Sequence, residues 1–273
     1  MLAARILTAI ALLAVLVPVV FAGPVWLWGV VSLLLLVVAF SEWSRLVERA
    51  APSLTQLAAL LVSGLAFIAV LPEGGLAQPL LVAVCFPVLV FWLIEIPRRL
   101  RSHQASGGRR ALAFWMLGSC WIALYQLRGE GAVVLVAAMA IVWIADVAAY
   151  FAGRAFGRHK LAPFISPGKT WEGAIAGMLC VGAIGVVSAS WASLSGALPA
   201  VLVSRMGSGL AAAVLVLLVG LSILGDLFES LLKRQAGVKD SGRLLPGHGG
   251  ALDRIDALIP TMPAVALLHE LLR

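Results

Sequence analysis

Long apolar runs recur along this chain, and many of them are separated only by short polar connections. A helix needs about 17 to 25 apolar residues to cross a bilayer, and the mean hydropathy of +1.05 is far above that of soluble domains. We therefore predict an all-α, polytopic membrane protein with about nine transmembrane helices. The predicted spans are residues 6–22, 25–40, 54–71, 79–96, 111–127, 131–151, 173–191, 207–228 and 257–272.

The positions of the basic residues predict how these spans are oriented. If the N-terminus is cytoplasmic, seventeen of the twenty Lys and Arg residues fall on the cytoplasmic side, where such residues accumulate in membrane proteins. Only Arg128, Arg205 and Arg273 fall on the other side. The same distribution explains the net charge of +7, so no nucleic acid is expected as a partner. We predict an integral protein of a bacterial-type cytoplasmic (inner) membrane.

The two halves of the chain differ in where they carry charge. The first five predicted spans hold almost no ionisable residue at membrane depth apart from Glu95, so residues 1–127 are interpreted as an N-terminal transmembrane scaffold. Residues 128–273 are expected to carry the functional site. The first run is interpreted as a retained span and not as a cleaved signal sequence, because a second apolar run begins at once, at Trp26.

A polar block begins inside the sixth span. Asp146 lies near the cytoplasmic end of that span, and Tyr150 follows one helical turn later on the same face. Beyond them the chain interleaves glycines with cations, including Arg154 and Lys169, and Ser166 is expected to open a turn. Glycines let backbone and cations approach an anion closely, so the block is suited to phosphate. For Asp146 alone, a structural hydrogen bond to a neighbouring helix is the alternative.

Residues 225–256 form the most densely charged stretch, with five of the thirteen acidic residues and five of the twenty basic residues. Asp226, Glu229, Ser230 and Lys233 have the spacing of one helical face where the eighth span leaves the membrane. A solvated, salt-bridged face would show the same spacing. Charge beside hydrocarbon is costly, however, and this favours a functional site.

A glycine-rich loop and a second acidic cluster complete this stretch. The loop reads Pro-Gly-His-Gly-Gly at 246–250, and Asp253, Arg254 and Asp256 follow it at the expected start of the last helix. Acids in a first turn are ordinary partners of the helix dipole. Together with the lysines and His248, however, these hard oxygen ligands suit Mg²⁺ and a polyphosphate.

Two small residues open the seventh span. Gly173 and Gly177 are four positions apart, a spacing that lets two helices approach closely. We predict that this face packs on another span or on a second subunit, which makes a homodimer one expectation.

Two segments of the chain resemble phosphatidate cytidylyltransferases, also called CDP-diacylglycerol synthases. Residues 230–256, S-L-L-K-R-x4-K-D-S-G-R-L-L-P-G-H-G-G-A-L-D-R-I-D, are similar to the signature of that family, and Gly225 with Asp226 fits it too. The block D-x-x-A-Y-x-x-G-R-x-x-G-R from Asp146, with the later S-P-x-K-T-x-E-G, resembles a second family block. The resemblance covers the chain from Asp146 onward. The first half is similar only in hydropathy.

This resemblance implies a membrane nucleotidyltransferase of phospholipid biosynthesis, with CTP and phosphatidic acid as partners and CDP-diacylglycerol and pyrophosphate as products. It implies Mg²⁺ as the cofactor, and in some members a second, monovalent cation. Residues 128–273 would be the catalytic transmembrane region. We assign Asp226 and Asp253 as metal ligands, then Asp256, then Asp146.

The other assigned residues are expected to hold the triphosphate or the lipid phosphate. With Asp226 and Asp253, the expected catalytic residues are Lys233, Lys239, Arg243 and His248. With Asp146, the expected substrate-binding residues are Tyr150, Arg154, Ser166, Lys169, Glu229, Ser230, Arg234, Gly249, Gly250 and Arg254.

Two other functions fit parts of the pattern. A CTP-dependent polyprenol or dolichol kinase would use the same metal and nucleotide chemistry but would release CDP instead of pyrophosphate. A transporter could use intramembrane acids as an ion path. Against transport, the charges cluster at one face and the central motif is not repeated in the first half.

Overall fold

The computed structural model describes residues 2–105, 110–242, 244 and 249–273, most of which are helical. The helices are α1 Leu2–Phe21, α2 Val25–Glu48, α3 Leu54–Val70, α4 Gln78–Ser102, α5 Arg110–Glu130, α6 Ala132–Phe156, α7 Trp171–Ser188, α8 Leu198–Ala236, α9 Leu252–Ile255 and α10 Leu258–Leu272. Two short strands, β1 Lys160–Ala162 and β2 Ser166–Thr170, form an antiparallel hairpin between α6 and α7. A 3-10 turn, Ala192–Leu194, precedes α8.

Each predicted apolar run coincides with a helix, so the prediction of a helical membrane protein is confirmed. In the described part of the chain, six stretches are long and apolar enough to cross a membrane: Val25–Glu48, Gln78–Ser102, Ala132–Phe156, Trp171–Ser188, Leu198–Ala236 and Leu252–Leu272. The apolar parts Ile10–Phe21 and Leu54–Val70 are shorter. The residues of α5 include Gln126, Arg128 and Glu130 near its end, which lower its hydropathy. A count of nine spans therefore stays a prediction.

Helix α10 lies at the centre of the packing. Its residues are apolar on nearly every side, and a helix of that kind has to be buried. It packs against α4, α5 and α8, with Met262 and Val265 fully buried. Helix α2 packs on α3 and α5. The last helix is therefore enclosed partly by helices from the first half of the chain.

Helix α8 is divided by a break at Gly207, where φ is 77°. Glycine adopts this left-handed conformation without the steric cost that a side chain would add. The break falls at the predicted start of the eighth span. From there the helix continues to Ala236, and Gly237 ends it in the left-handed conformation that is common after a helix.

The glycines of α7 pack directly on α6 of the same chain. A Cβ atom on Gly173 would lie 2.7 Å from the carbonyl oxygen of Ala149, and one on Gly177 would lie 2.9 Å from that of Ala145. The predicted close packing is confirmed, and its partner is a neighbouring span. Because this face is used within the chain, it gives no support to the expected homodimer.

Candidate active site

The charged face predicted near the end of α8 is present on a continuous helix. The Ser230 hydroxyl donates to Asp226 Oδ1 at 3.3 Å, and Lys233 forms an ion pair with Glu229. Both pairs are four residues apart, the spacing that brings side chains together along one side of a helix. Glu229 is almost completely buried, whereas the Asp226 side chain is 31% exposed. Asp226 is therefore the more accessible of the two carboxylates.

A β-hairpin contacts α8 at this end of the helix, and the sequence did not predict it. Lys160 pairs with Thr170 and Ala162 pairs with Ser166, so Ser166 begins strand β2. The expectation that Ser166 opens a turn is wrong, because the turn lies before it. The hairpin tip is fixed to α8 by Arg234, whose Nε donates to the carbonyl oxygen of Ile165 at 3.2 Å.

The hairpin delivers Lys169 to the acidic face of α8. Lys169 Nζ lies 2.5 Å from Asp226 Oδ2, and both side chains are partly exposed. The next residue, Thr170, is buried and caps α7 by accepting the N–H of Gly173 at 3.2 Å. The cap fixes the junction between β2 and α7, directly after Lys169. The contact of Ile165 with Arg234 fixes the other end of β2. Lys169 is therefore held in position from both ends of its strand.

These groups line a cleft of about 490 Å³ between α6, α7, α8 and the hairpin. Six residues assigned from the sequence share it: Asp146, Tyr150, Arg154, Ser166, Lys169 and Asp226. Within it, Arg154 Nη1 donates to the Tyr150 hydroxyl at 3.2 Å. Acidic and basic groups line the cleft from different elements, namely α6, α8 and the hairpin. The rest of its lining comes from apolar and small residues of the helices. The cleft is suited to an anionic group attached to an apolar body.

A second polar cluster lies one turn further along α8. Lys233 Nζ is 2.7 Å from Asp253 Oδ1 and also pairs with Glu229. The other oxygen, Asp253 Oδ2, accepts from the Ser241 N–H at 2.9 Å, the Ser241 hydroxyl at 2.9 Å and the Gly250 N–H at 2.8 Å. Both oxygens of Asp253 thus accept hydrogen bonds from the protein. In this structure Asp253 connects α8 to the loop residues Ser241 and Gly250.

The same loop residues are also held by a second carboxylate, which was not among the residues predicted from the sequence. Glu42 on α2 is 3% exposed. Its Oε2 accepts from the Leu252 N–H at 2.8 Å, and its Oε1 accepts from the Ala251 N–H at 3.2 Å. The Ser241 hydroxyl oxygen lies 3.1 Å from Glu42 Oε2 and 2.9 Å from Asp253 Oδ2, so the two carboxylates share its one proton. Glu42 lies just past the predicted span 25–40. A continuation of that helix by one turn would have placed it at membrane depth.

The remaining assigned residues have different surroundings. Asp256 is half-buried, and its Oδ1 accepts from the Ala257 N–H at 2.7 Å. Its backbone oxygen lies so close to Gly225 that a Cβ there would clash with it, so the chain after α9 touches α8 beside Asp226. Lys239 and Arg254 are exposed. Gly249 has a φ of 85°, and Gly250 packs on Ser241 and Glu42. Arg243 and His248 lie outside the described residues.

The described residues contain no group of three His, Cys, Asp or Glu side chains placed to hold a metal ion. Two carboxylates, from Asp146 and Asp226, nevertheless line the same cleft. One or two carboxylates are the usual protein contribution to a Mg²⁺ site that shares its remaining positions with substrate phosphates. The donor set of the cleft is compatible with a cation that arrives with a phosphate-bearing substrate.

Fold and cleft together define a helical membrane protein with a cleft, lined by both acidic and basic side chains, near the ends of apolar helices. The sequence profile of the cytidylyltransferase family matches residues 3–272. Three bacterial proteins named phosphatidate cytidylyltransferase are similar to the chain. That of Brucella suis biovar 1 is 38% identical over 273 residues, covering 97% of this chain and 91% of its own. That of Pseudomonas aeruginosa is 36% identical over 202 residues (72% and 70%), and that of Haemophilus influenzae is 43% identical over 134 residues (49% and 44%).

The chain belongs to the cytidylyltransferase family. The match extends over nearly the whole chain and so includes α2 with Glu42, whereas the motifs seen in the sequence begin only at Asp146.

Proposed function

We propose that this protein transfers the cytidylyl group of CTP to phosphatidic acid, giving CDP-diacylglycerol and pyrophosphate for phospholipid synthesis. Family membership makes it a nucleotidyltransferase. The observation that carries the choice of substrates is the cleft. It brings Lys169 of the hairpin together with Arg154 and Asp226 near the ends of apolar helices. A lipid phosphate at a membrane surface would lie at such a depth.

The reaction needs two anions to be brought together and a third to be stabilised as it leaves. An ionised phosphate oxygen of the lipid forms a bond to the α-phosphorus of CTP. The bond from that phosphorus to the oxygen of the β-phosphate breaks, and the electron pair leaves with pyrophosphate. The attacking oxygen is already ionised near neutral pH, so a protein nucleophile is not required. Catalysis then consists of positioning and charge stabilisation.

The described residues can divide this work between two sides of the cleft. Lys169 and Arg154 would neutralise and orient the phosphates from the hairpin and from α6. Lys233 is held between two carboxylates in the second cluster and is not among the residues that line the cleft, so it stays a proposed phosphate ligand. Tyr150 would orient Arg154 through their hydrogen bond. Arg243, His248 and Lys239 stay as proposed phosphate ligands.

We propose Mg²⁺ as the cofactor, held first by Asp226, the most accessible carboxylate on α8, with Asp146 across the cleft and Asp256 beside it. When bound, the ion would neutralise charge on the phosphates and on the departing pyrophosphate. Asp253 stays a proposed ligand, although it would have to share an oxygen that now accepts from Lys233. A second, monovalent cation also stays a proposal.

We further propose nine spans with the N-terminus and the active site on the cytoplasmic side of a bacterial inner membrane. The distribution of Lys and Arg supports this orientation, and the cytoplasm is where CTP is available. A homodimer stays a prediction, to be checked by the mass of the purified protein in detergent.

The experiment that tests the proposed function follows the label of CTP. Purified protein is incubated with Mg²⁺, phosphatidic acid and CTP labelled either at the α- or at the γ-phosphorus. Cytidylyl transfer should move the α-label, and not the γ-label, into the organic phase. A lipid kinase would move only the γ-label. Retention of both labels in the aqueous phase with every phospholipid offered would contradict the proposal. In that case, transport of a solute into liposomes in the absence of nucleotide would favour a transporter.

The contacts of Asp253 predict a combined effect of its replacement. Asp253→Asn should lower turnover by about 10²-fold, since the loop that it holds would shift, and it should also lower the melting temperature in detergent. An amide cannot accept from Lys233 on one side and from two N–H groups and a hydroxyl on the other. Turnover close to that of the wild type would show that neither a metal nor the loop depends on this carboxylate.

A further inference from the structure

An apolar groove of about 320 Å³ lies between α6, α7 and α8, on the far side of the cleft from the hairpin. The side chains that form its walls nearest the cleft are Ala137, Ala140, Ile144, Val181, Ile184 and Leu215. The mechanism proposed above makes no use of this space.

The groove continues the cleft along the same three helices. On α6 the cleft ends at Ala145 and the groove begins at Ile144. On α7 the step from Gly177 to Val181 is one helical turn, and on α8 the step from Val219 to Leu215 is also one turn. Residues four apart lie on the same face of a helix. The polar cleft and the apolar groove therefore adjoin each other along the same three helices.

The chemistry of the groove restricts what can occupy it. Its lining is apolar except for Ser188, whose hydroxyl donates to the carbonyl oxygen of Gly185 at 3.0 Å and is thereby satisfied within the protein. A nucleotide or an ion would leave its polar groups unpaired there, which is costly. A hydrocarbon chain has no such groups, so the surface as a whole suits an amphiphile with its charged end in the cleft.

The dimensions agree with one leaflet of a bilayer. Along α6, nine residues separate Asp146 in the cleft from Ala137 in the groove, a distance of roughly 13.5 Å at 1.5 Å per residue. Half of the hydrocarbon core of a bilayer is about 15 Å. If the phosphate of a lipid lies beside Lys169 and Asp226, an acyl chain of that lipid would thus run next to the groove for most of the depth of one leaflet.

We propose that this groove seats one acyl chain of the lipid substrate and thereby orients its phosphate in the cleft. The inference rests on the proposed function, because it assumes that the lipid phosphate occupies the cleft. Since lipid tails are as apolar as the groove, the seat adds little affinity over the surrounding bilayer. Its contribution would be orientation, which affects turnover.

The test fills the groove and compares substrates of different chain length. Ala140→Phe should lower the rate with dioleoyl phosphatidic acid about tenfold relative to the rate with dihexanoyl phosphatidic acid, whose six-carbon chains fill much less of the groove. The matched control is Val147→Phe, which adds a similar ring to α6 at an exposed position outside the cleft and the groove. The control should leave the ratio of the two rates unchanged.

A measurement on the unmodified protein keeps the test decisive if Ala140→Phe folds poorly. Phosphatidic acid with a diazirine in the middle of one chain should label peptides of α6 and α7 that line the groove, and phosphatidylcholine with the same chain should label them less. An unchanged ratio of rates in folded Ala140→Phe would overturn the proposal. So would equal labelling by the two lipids, because the groove would then hold bulk membrane lipid.

These outcomes are separate from the fate of the proposed function. If the wild-type protein transferred no cytidylyl group to any phosphatidic acid, the proposed function would fail. Labelling specific to phosphatidic acid would still report a lipid seat in that case. Normal transfer without labelling of the groove would reject the seat and keep the enzyme.

Discussion

Replacing Asp226 with Asn is expected to lower cytidylyl transfer by about 10²–10³-fold, the loss typical of removing one preorganised electrostatic group from an active site. Asp226 is the carboxylate that joins the two walls of the cleft: it pairs with Lys169 on the hairpin and accepts from Ser230 on its own helix. Asn would keep nearly the same shape but carry no charge. Lys169 would lose its counterion, and a cation in the cleft would lose a ligand.

The measurement compares turnover and the Mg²⁺ concentration for half-maximal rate in Asp226→Asn and in the wild type. We expect the variant to need more Mg²⁺ and to keep its melting temperature in detergent, because the Asp226 side chain is about one-third exposed. Glu95→Gln is the matched control. It removes a carboxylate that is also salt-bridged, to Arg99 at 3.0 Å, but that does not line the cleft. An unchanged Mg²⁺ requirement with normal turnover would remove Asp226 from the site.

The parts of the site that depend on local spacing could be predicted from the sequence. Asp226, Glu229, Ser230 and Lys233 share a face because a helix brings residues three and four apart together, whatever surrounds it. The same reasoning placed Asp146 and Tyr150 on one side of α6, and both line the cleft. Apolar run length likewise located the helices.

Contacts between distant parts of the chain could not be predicted in this way. The pairing of Lys169 with Asp226 depends on the hairpin, whose strands contain Pro167 and Gly168 and so have the composition of a loop. Proline and glycine are depleted in strands, and here only pairing with β1 and packing on α8 override that preference. The motif residues were found, but the sequence did not show which element would carry Lys169 into the cleft.

Glu42 is the clearest case of a contact that a local pattern does not show. It lies 199 residues before Ser241 in the chain, and its role depends on the way α2 packs against α8 and α9. Read along the sequence, it is a single acid at the end of an apolar run. In the structure it is a buried acceptor for two backbone N–H groups and one hydroxyl of the loop that also holds Asp253.

The second large effect is therefore expected for Glu42→Gln. The amide has only one acceptor oxygen, so its NH₂ group would face either the Ala251 N–H or the Leu252 N–H with the Ser241 hydroxyl. A buried donor left without an acceptor costs about 1–3 kcal/mol. We expect a lower melting temperature in detergent and a fall in turnover of about 10²-fold, since displacement of a supporting loop by roughly 1 Å can have that effect.

Measuring kcat and KM separately distinguishes a role of Glu42 in positioning the site from a role in the stability of the fold. Well below its melting temperature, Glu42→Gln should show a reduced kcat with CTP and phosphatidic acid both saturating, because the loop would hold Asp253 and Lys233 less accurately. Glu48→Gln is the control: it lies on the same helix and loses an ion pair with Arg110 at 2.9 Å, yet it does not touch the loop. If Glu42→Gln melted earlier but kept the kcat of the control, Glu42 would stabilise the fold without positioning the site. A fall in kcat that exceeds the loss of folded protein would instead show that a carboxylate on α2, in the half of the chain that looked like scaffold, positions the catalytic loop.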